Sequence, residues 1–396
     1  MSTAAHARGI RVLRARNAVA VVFALNGFAF ASWISRIPEA RAGLGLTPGQ
    51  LGTLLLALSL GAVVALPSAG AWVHRFGASK VVAAAAVVDA LGLAVVGLGA
   101  GVADQVWLAV VGLLLLGFGS GVWDVAMNVE GAAVERELGR TVMPRFHAGF
   151  SLGTVIGAAT GAVAAGLSVP LTGHLMLAAV PVAAVAAVVV PAFLPAGTEE
   201  HETKRPQNPL RAWTEPRTLV IGLMVFSMAL TEGVANDWLA VALVDGYDVP
   251  AWVGASGFAL FVSAMTLGRL GGPRVLDRFG RMPVLWSSMV LAALGVLLVV
   301  FGGMLPLLAL GIVLWGVGAS LGFPVGMSAA ADEPAHSAAR VSVVSTVGYT
   351  AFLAGPPLFG YLGDHVGVLH ALLLLAVLLV PSALAVPAAR ESDLGR

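Results

Sequence analysis

The sequence contains no cysteine and carries little charge. None of its 396 residues is Cys, and only 11% are Asp, Glu, Lys or Arg. Without thiols, the chain has no disulfide, no thiolate metal site and no cysteine nucleophile. A soluble protein carries roughly 25% charged residues, whereas this chain is 58% hydrophobic with a mean hydropathy of +0.92. The composition therefore predicts a membrane protein whose partner is the lipid bilayer.

A strong net charge and the common catalytic motifs are also missing. The formal net charge is +1, which argues against a nucleic-acid partner. The sequence has no phosphate-binding loop, no metal-ligand cluster and no Ser–His–Asp set in a motif context. We therefore expect no enzyme activity, no catalytic residue, no metal ion and no cofactor.

Long apolar runs bounded by charges, Gly or Pro predict twelve membrane-spanning helices. Each run is close to the roughly 20 residues that a helix needs to cross the hydrocarbon core. The first run follows four arginines and is longer than the core of a signal peptide, so we interpret it as a retained span. The predicted spans are 17–37, 48–72, 80–100, 105–129, 145–168, 171–194, 217–243, 251–274, 282–304, 306–330, 339–363 and 366–389.

The basic residues predict the orientation of these spans. The even-numbered connections hold most of them, including Lys80 and Arg136, whereas the odd-numbered connections hold only Arg36 and Arg41. Because basic loops favour the cytoplasm, we expect both termini on the cytoplasmic side of the inner (plasma) membrane. The polar segment 195–216 is predicted to be a cytoplasmic linker. It would separate an N-terminal six-helix bundle, 1–194, from a C-terminal one, 217–396.

The two halves resemble each other. HRFG (74–77) and DRFG (277–280) each follow the second span of a half, and GVWDVAMN (121–128) corresponds to LGFPVGMS (321–328). Six spans per half give both halves the same topology, a parallel repeat about an axis along the membrane normal. Twelve spans, the linker and the repeated loop resemble the major facilitator superfamily over nearly the whole chain. The resemblance implies an all-α protein with two six-helix halves, a small-molecule substrate, alternating access and a functional monomer.

The repeated loop suggests gate residues. In this family the loop braces the cytoplasmic gate through Asp–Arg contacts, and the resemblance implies that role for Arg75, Asp277 and Arg278. Both copies depart from the family pattern. His74 replaces the usual aspartate of the first copy, and Pro273 replaces a glycine of the second.

Span 4 contains the strongest functional candidates. Asp124 and Asn128 are four residues apart and share one helix face, and Gly117 and Gly121 extend that stripe and let another helix approach. A carboxylate in hydrocarbon is costly. The pattern G-x-G-x-G-x-x-[DE]-x-x-x-N resembles the fucose-permease branch, in which the acid is associated with proton coupling and substrate binding. An interhelical hydrogen bond without a transport role is the alternative. The acid that this branch also carries on span 1 is missing, since Ile34 stands there.

Span 7 supplies a second group of candidates. Glu232, near mid-span, is predicted to couple protons or bind substrate, and Asn236, one turn on, to bind substrate. Asp237 points elsewhere and is predicted to lie in an outer vestibule or gate. Asn26 takes the position of Glu232 in the repeat, so we expect the two to face each other across a cavity. For Asn26, a plain helix–helix hydrogen bond is an equal alternative. We also expect Arg269, inside span 8, to pair with Asp277.

Three further residues are candidates for substrate binding. His147 and Ser151 form a polar stripe in FHAGFSLG (146–153), which resembles the MosC-like branch, associated with an inositol-derived amine, rhizopine. Capping or gate packing is the alternative for His147. Trp33, near the outer end of span 1, offers a stacking surface for a ring-shaped solute. For Trp33 and Arg36, anchoring at the membrane interface is the alternative.

Together these features predict a secondary transporter that couples the proton to a sugar, cyclitol or related amine. Two other functions stay open. One is proton-driven export of drugs or hydrophobic metabolites, against which the missing proline of a G-x-x-x-G-P signature in span 5 counts. The other is a membrane sensor that transports nothing.

Overall fold

The computed structural model describes residues 3–195, 209–333 and 336–390, and these form helices joined by short turns. We number the elements in chain order. They are α1 (Thr3–Ile34), α2 (Ile37–Leu44), α3 (Pro48–Phe76), α4 (Ala78–Gly101), α5 (Val106–Leu138), α6 (Met143–Gly166), α7 (Leu171–Val189), η1 (Val190–Ala192), η2 (Pro209–Thr214), α8 (Pro216–Tyr247), α9 (Ala251–Phe279), α10 (Arg281–Phe301), α11 (Leu305–Ala319), α12 (Gly322–Ala330), α13 (Ser337–Val366), α14 (Val368–Ala371), α15 (Leu373–Ala385) and η3 (Val386–Ala389).

Twelve helical stretches among the described residues are long and apolar enough to cross a membrane. This number confirms the prediction, and most bounds agree within a few residues. The largest differences are at the start of the first span, at Gly9 instead of 17, and at the end of the fourth span, at Leu138 instead of 129. On α5 the added turns are useful at the helix end, because the Glu135 carboxylate accepts backbone N–H bonds from Val142 and Met143, at 2.7 and 2.8 Å. Those N–H groups belong to the start of α6 and lack partners within their own helix.

One helix was not predicted. The short α2 precedes the GLTPG turn (45–49). A capping box at the end of this turn begins α3. Thr47 Oγ1 accepts from the Gln50 N–H at 3.3 Å, and Gln50 Oε1 accepts from the Thr47 N–H at 2.9 Å. Pro48 occupies the first helical position, where its missing N–H costs nothing.

The chain divides into two compact units. Unit 1 comprises Met1–Glu199 with Pro250–Ala259, and unit 2 comprises Glu200–Val249 with Leu260–Arg396. The sequence-based boundaries assign 250–259 to the C-terminal bundle, whereas the contacts of this segment group it with unit 1. Most of the predicted linker, 195–216, lies outside the described residues. Its last part forms η2.

Glycine allows the helices of each unit to pack closely. A Cβ on Gly117 of α5 would lie 1.9 Å from the Leu58 carbonyl oxygen of α3, and one on Gly119 would lie 2.7 Å from the Asp89 nitrogen of α4. In unit 2 a Cβ on Gly318 of α11 would lie 2.3 Å from the Ala292 nitrogen of α10. No larger residue fits such contacts without backbone movement. The close approach predicted for the stripe of span 4 is therefore confirmed.

The repeated loop has the same backbone conformation in both units. Gly77 joins α3 to α4 with φ 82°, and Gly280 joins α9 to α10 with φ 75°. Only glycine adopts this region without strain. The repeated glycine of HRFG and DRFG is thus explained by the sharp turn that each unit needs between two long helices.

Candidate functional site

Asp124 and Asn128 form a hydrogen-bonded pair on α5. The Asn128 side-chain amide donates to the Asp124 carbonyl oxygen at 2.8 Å and to its Oδ1 at 3.2 Å, which confirms that the two share one face. The Asp124 side chain is exposed, and Asn128 is half-buried. Among the described residues, no Lys, Arg or His forms an ion pair with Asp124. The carboxylate is therefore supported by an amide alone, with no cation.

A second acid lies behind this pair, between α4 and α5. Asp89 is fully buried, and its Oδ1 accepts a hydrogen bond of 2.6 Å from Ser120 Oγ of α5. Its Oδ2 is buried with no hydrogen-bond partner among the described residues. The sequence names no partner for Asp89, because Ser120 lies on another helix at a separation of 31 residues.

Asn26 lies inside unit 1, and its side-chain amide donates no hydrogen bond to any described residue. It is 4% exposed on α1, and its Nδ2 is buried with no acceptor among the described residues. The next residue, Gly27, packs against α6, since a Cβ there would lie 2.2 Å from the Phe150 carbonyl oxygen. The helix contact at this level is therefore made by glycine and backbone rather than by the Asn26 amide.

His147 and Ser151 lie near the start of α6. His147 is exposed and meets the Phe23 ring of α1 edge-on, with the ring centroids 5.2 Å apart. Ser151, one turn on, is buried. The predicted polar stripe therefore begins at an exposed imidazole and continues into the helix packing.

Trp33 and Arg36 do not lie where an interfacial anchor would. Their side chains are 0% and 2% exposed, so protein rather than lipid headgroups surrounds them, and anchoring is wrong for both. Arg36 forms an ion pair with Glu39, and its Nη2 donates to the Val169 carbonyl oxygen at 2.8 Å. Burial raises the pKa of Glu39, against the lowering effect of Arg36. With no exposed ring face, Trp33 offers no stacking surface in this structure.

Glu232 of unit 2 is paired with Arg269. Arg269 Nη2 donates to both carboxylate oxygens of Glu232, at 2.9 and 2.8 Å, and its Nε donates to the Ser320 carbonyl oxygen at 3.3 Å. The predicted pair with Asp277 is therefore wrong, and Asp277 is exposed at the end of α9. Two turns of helix separate Arg269 from Asp277 by about 12 Å. Glu232 of α8, in contrast, forms a direct ion pair with Arg269. An arginine inside a span requires an acid, and mid-span Glu232 was the signal that could have identified it.

Asn236 and Asp237 follow Glu232 by about one turn of α8. Both side chains are half-buried, and neither makes a hydrogen bond with any residue in the described ranges. Their amide and carboxylate groups therefore have unused hydrogen-bonding capacity.

The repeated loops carry arginines stacked on aromatic rings. The Arg75 guanidinium lies 5.4 Å from the centroid of Phe76, and that of Arg278 lies 5.3 Å from Phe279. Arg75, Arg278 and Asp277 form no ion pair with the residues that the structure describes. The Asp–Arg contacts implied by the resemblance are not formed here, and a cation–π contact takes their place at each arginine.

A charge cluster, which the sequence did not predict, holds helix ends of unit 2 together. Asp332 accepts from Arg217 at 2.9 Å and from Arg281 at 3.0 Å. Arg340 donates to Glu215 at 2.6 Å and to Glu333 at 2.7 Å. The hydrogen bond from Arg340 holds the pKa of both Glu215 and Glu333 below the usual value of 4.5. These contacts join the starts of α8, α10 and α13, which are far apart in sequence.

Comparison with known proteins identifies the same family throughout the chain. A sequence profile of the Major Facilitator Superfamily matches residues 19–275 and 253–393. An uncharacterised MFS-type transporter of Yersinia pestis is 31% identical over 373 residues, which cover 92% of this chain and 93% of the relative. Membrane protein MosC of Rhizobium meliloti is 26% identical, covering 90% of this chain and 85% of MosC.

Solved structures share the fold. The nucleoside transporter NupG matches with a TM-score of 0.74 at 15% identity, covering 96% of this chain and 99% of NupG. The fucose:proton symporter FucP of E. coli matches with a TM-score of 0.64 at 16% identity, covering 95% and 98%. At these identities the likeness supports the fold, and it leaves the ligand of this chain open.

Proposed function

Because this chain belongs to the Major Facilitator Superfamily of membrane transporters, we propose that it is a proton-coupled secondary transporter of a small polar solute. The solute class is a sugar, a cyclitol or a related amine, moved by alternating access. The observation that carries the proposal is Asp124, an exposed carboxylate halfway along a membrane-spanning helix with only an amide as its partner.

The physical argument concerns the charge of this carboxylate. While water reaches Asp124, the ionised form is well solvated. When the site closes and dries, an ionised acid without a cation becomes expensive, because little remains to solvate it. Taking up a proton removes that cost. A bound ammonium or hydroxyl-rich solute lowers it, and the site can then close. Protonation and solute binding at Asp124 are thereby linked to the conformational change.

The groups available at the site support the proposed solute class. Asp124 and Asn128 present a carboxylate and an amide, which suit hydroxyl or amine groups. Asn26, Ser151 and His147 add hydrogen-bond donors and acceptors within unit 1. Two transporters that share the fold, FucP for fucose and NupG for nucleosides, act on polyhydroxylated solutes, which is consistent with this class.

In unit 2, we assign Glu232 and Asn236 supporting roles. Glu232 already has Arg269 as its counterion and is held by it through both carboxylate oxygens. Asn236 and Asp237 have spare hydrogen-bonding capacity one turn on. Asn236 is assigned to solute binding and Asp237 to a gate. The proposal also places the protein in the inner membrane as a monomer, as the family resemblance implies. It places both termini in the cytoplasm, because the basic residues cluster in the even-numbered connections.

Transport in reconstituted vesicles tests this function. The purified protein is placed in liposomes with an imposed pH gradient, and uptake of labelled fucose, inositols, amino-inositols and nucleosides is measured. A thermal-shift screen over the same compounds and cationic drugs selects the solute beforehand. We expect one polyol or amine to stabilise the protein and to accumulate only with the gradient. Stabilisation by many unrelated hydrophobic compounds supports export of drugs, and no binding at all supports a sensor.

Asp124→Asn is the decisive variant. We expect it to reduce gradient-driven uptake to the level of empty vesicles, because the amide cannot take up and release a proton. Asp104→Asn is the matched control, since Asp104 lies in the turn between α4 and α5 at a positive φ that asparagine tolerates. Gradient-driven uptake that survives in Asp124→Asn contradicts the proposed proton role.

A further inference from the structure

Unit 1 contains an acid that the proposed site does not use. Asp89 lies in the middle of α4, is fully buried, and has one hydrogen bond, from Ser120. Its second oxygen has no partner within the described part of the chain. A carboxylate in this position is unusual, since buried charges are normally paired or neutralised.

The packing of α4 against α5 does not require an acid there. In unit 1, a Cβ on Gly119 would meet the Asp89 nitrogen at 2.7 Å and the Ala85 oxygen at 3.0 Å. In unit 2, a Cβ on Gly318 would meet the Ala292 nitrogen at 2.3 Å and the Ser288 oxygen at 2.6 Å. The same glycine contact is thus built twice, with Asp89 in one unit and alanine in the other.

The hydrogen-bond donor is special to unit 1 as well. Ser120 follows Gly119, whereas buried Ala319 follows Gly318. Where unit 1 has an acid and a hydroxyl, unit 2 has two methyl groups. The helix packing therefore does not require Asp89 and Ser120, which indicates that the pair has a role in function.

Ser120 links the buried acid to the exposed one. Asp89 is buried, Ser120 is half-buried, and Asp124, four residues beyond Ser120 on α5, is exposed. Residues four apart lie on neighbouring turns of one helix face. A hydroxyl can donate one hydrogen bond while it accepts another, so Ser120 can donate to Asp89 and accept from a water held by Asp124. The three side chains form a polar path from the exposed site into the unit.

Other ionisable groups lie farther along the helices. Apart from Asp89, the acid nearest to Ser120 is Asp124, four residues along α5. The remaining titratable groups on the elements that pack against α4 lie toward helix ends: Glu39 and Arg41 on α2, Lys80 on α4 itself, Glu130, Glu135, Arg136 and Glu137 on α5, His174 on α7, His74 and Arg75 on α3, and Arg11, Arg14 and Arg16 on α1. No cation forms an ion pair with Asp89 among the described residues.

We propose that Asp89 is a second proton-carrying site that exchanges a proton with Asp124 through the Ser120 hydroxyl. The proton that leaves the Asp124 carboxyl passes through a bridging water to Ser120 Oγ, and the Ser120 hydroxyl proton passes to Asp89 Oδ1. Asp124 becomes anionic and Asp89 neutral, so one proton and one negative charge are shared by the two acids throughout. This inference rests on the proposed function and adds the residue that stores the proton.

A measurement that needs no solute tests whether Asp89 holds a proton. Infrared spectra of the protein at neutral pH report the carbonyl stretch of protonated carboxyls. We expect Asp89→Asn to remove one such band, and Ser120→Ala to shift it because the acid loses its hydrogen-bond donor. An unchanged protonated-carboxyl region in both variants overturns the inference. Since Ser120→Ala retains the acid, it remains informative even if Asp89→Asn fails to fold.

Transport then distinguishes a proton carrier from a structural acid. Asp89→Ala reproduces the alanine contact of unit 2, and we expect it to retain exchange of labelled solute without a gradient while losing the response of uptake to an imposed pH gradient. A gradient response equal to that of the unaltered protein overturns the inference, and Asp104→Asn serves as the control. If the unaltered protein itself shows no gradient response, the proposed function fails, and the infrared result still decides whether Asp89 stores a proton.

Discussion

The two units of this protein place acids inside membrane-spanning helices under opposite conditions. In unit 1, Asp124 and Asp89 are held by an amide and a hydroxyl, with no cation among the described residues. In unit 2, both carboxylate oxygens of Glu232 accept hydrogen bonds from the Arg269 guanidinium. An acid without a cation changes its charge readily when its surroundings dry, whereas an acid on an arginine is kept ionised. Unit 1 therefore contains two acids whose charge no cation among the described residues compensates, and unit 2 contains an acid paired with an arginine.

The helix packing does not account for this difference. Both units bring a glycine of one helix against the backbone of the next, at Gly119 in unit 1 and at Gly318 in unit 2. Side chains alone separate them, since Asp89 and Ser120 of unit 1 correspond to Ala292 and Ala319 of unit 2. The two units thus share one kind of helix contact but differ in the polar and charged side chains beside it.

The largest expected effect comes from breaking the pair in unit 2. We expect Arg269→Gln to lower the free energy of unfolding by about 3 kcal/mol, the usual cost of one uncompensated charge in the middle of a membrane-spanning helix. The cause is the Glu232 charge, which keeps no counterion. Thermal and denaturant unfolding in detergent micelles measure the loss.

Two further variants complete this comparison. The double change Arg269→Gln with Glu232→Gln removes both charges and should recover most of the lost stability. Asp124→Asn is the matched change in unit 1, and it should leave the melting temperature unchanged or higher because no cation loses its partner. A double variant as unstable as Arg269→Gln, or a clear loss in Asp124→Asn, contradicts the difference between the units.

An intermediate effect is expected at the shared glycine contact. Gly119→Ala and Gly318→Ala each place a methyl group against backbone atoms, and we expect each to cost about 2 kcal/mol of stability through overpacking. Gly70→Ala on α3 and Gly271→Ala on α9 are the controls, since a Cβ at either position meets nothing within 4 Å. Alanine there should be neutral or slightly stabilising, because it is the better helix former. Strongly unequal costs at Gly119 and Gly318 would show that the two contacts are not equivalent.

The smallest effect is a pH dependence at the charge cluster of unit 2. The hydrogen bonds from Arg340 depress the pKa of Glu215 and Glu333 in the folded protein. Their stabilising contribution is therefore present above the unfolded pKa near 4.5 and is lost as the pH falls through the lower folded pKa. Because these groups lie near the surface, solvent screens their interactions and the contribution should be small.

Arg340→Gln tests this dependence. Melting temperatures compared at about pH 6.5 and about pH 4 should fall less in the variant than in the unaltered protein, since the variant has already lost the contacts that acid removes. Arg75→Gln is a suitable control, because Arg75 forms no ion pair within the described residues. An equal fall in both proteins would show that Arg340 does not set the pH dependence.

Much of the fold followed from hydropathy. The number of spans and most of their bounds were predicted because twenty consecutive apolar residues are hard to accommodate anywhere except in a bilayer. The helix α2 (Ile37–Leu44) was missed, since eight residues with mixed polarity carry little periodic signal. The pairing of Asp124 with Asn128 was predictable because both lie on one helix, where spacing alone fixes the shared face.

The contacts between helices were less predictable. Arg269 was assigned to Asp277 on its own helix, and the structure pairs it with Glu232. Trp33 and Arg36 looked interfacial from their position near a span end, but the packing of neighbouring elements buries both. In each case the deciding quantity is the rotation and depth of one helix relative to another, which a single sequence with no alignment does not specify.

The sequence by itself determined that this protein is a twelve-span member of its family, and it identified Asp124 and Asn128 as neighbours on one helix face. Those properties depend on local hydropathy and on spacing along one helix. Only the tertiary structure decided which acids have a cation, which are held by neutral groups instead, and that Asp89 meets Ser120. The physical reason is that solvation and charge compensation depend on atoms brought together across helices, 37 residues apart for Glu232 and Arg269 and 31 for Asp89 and Ser120.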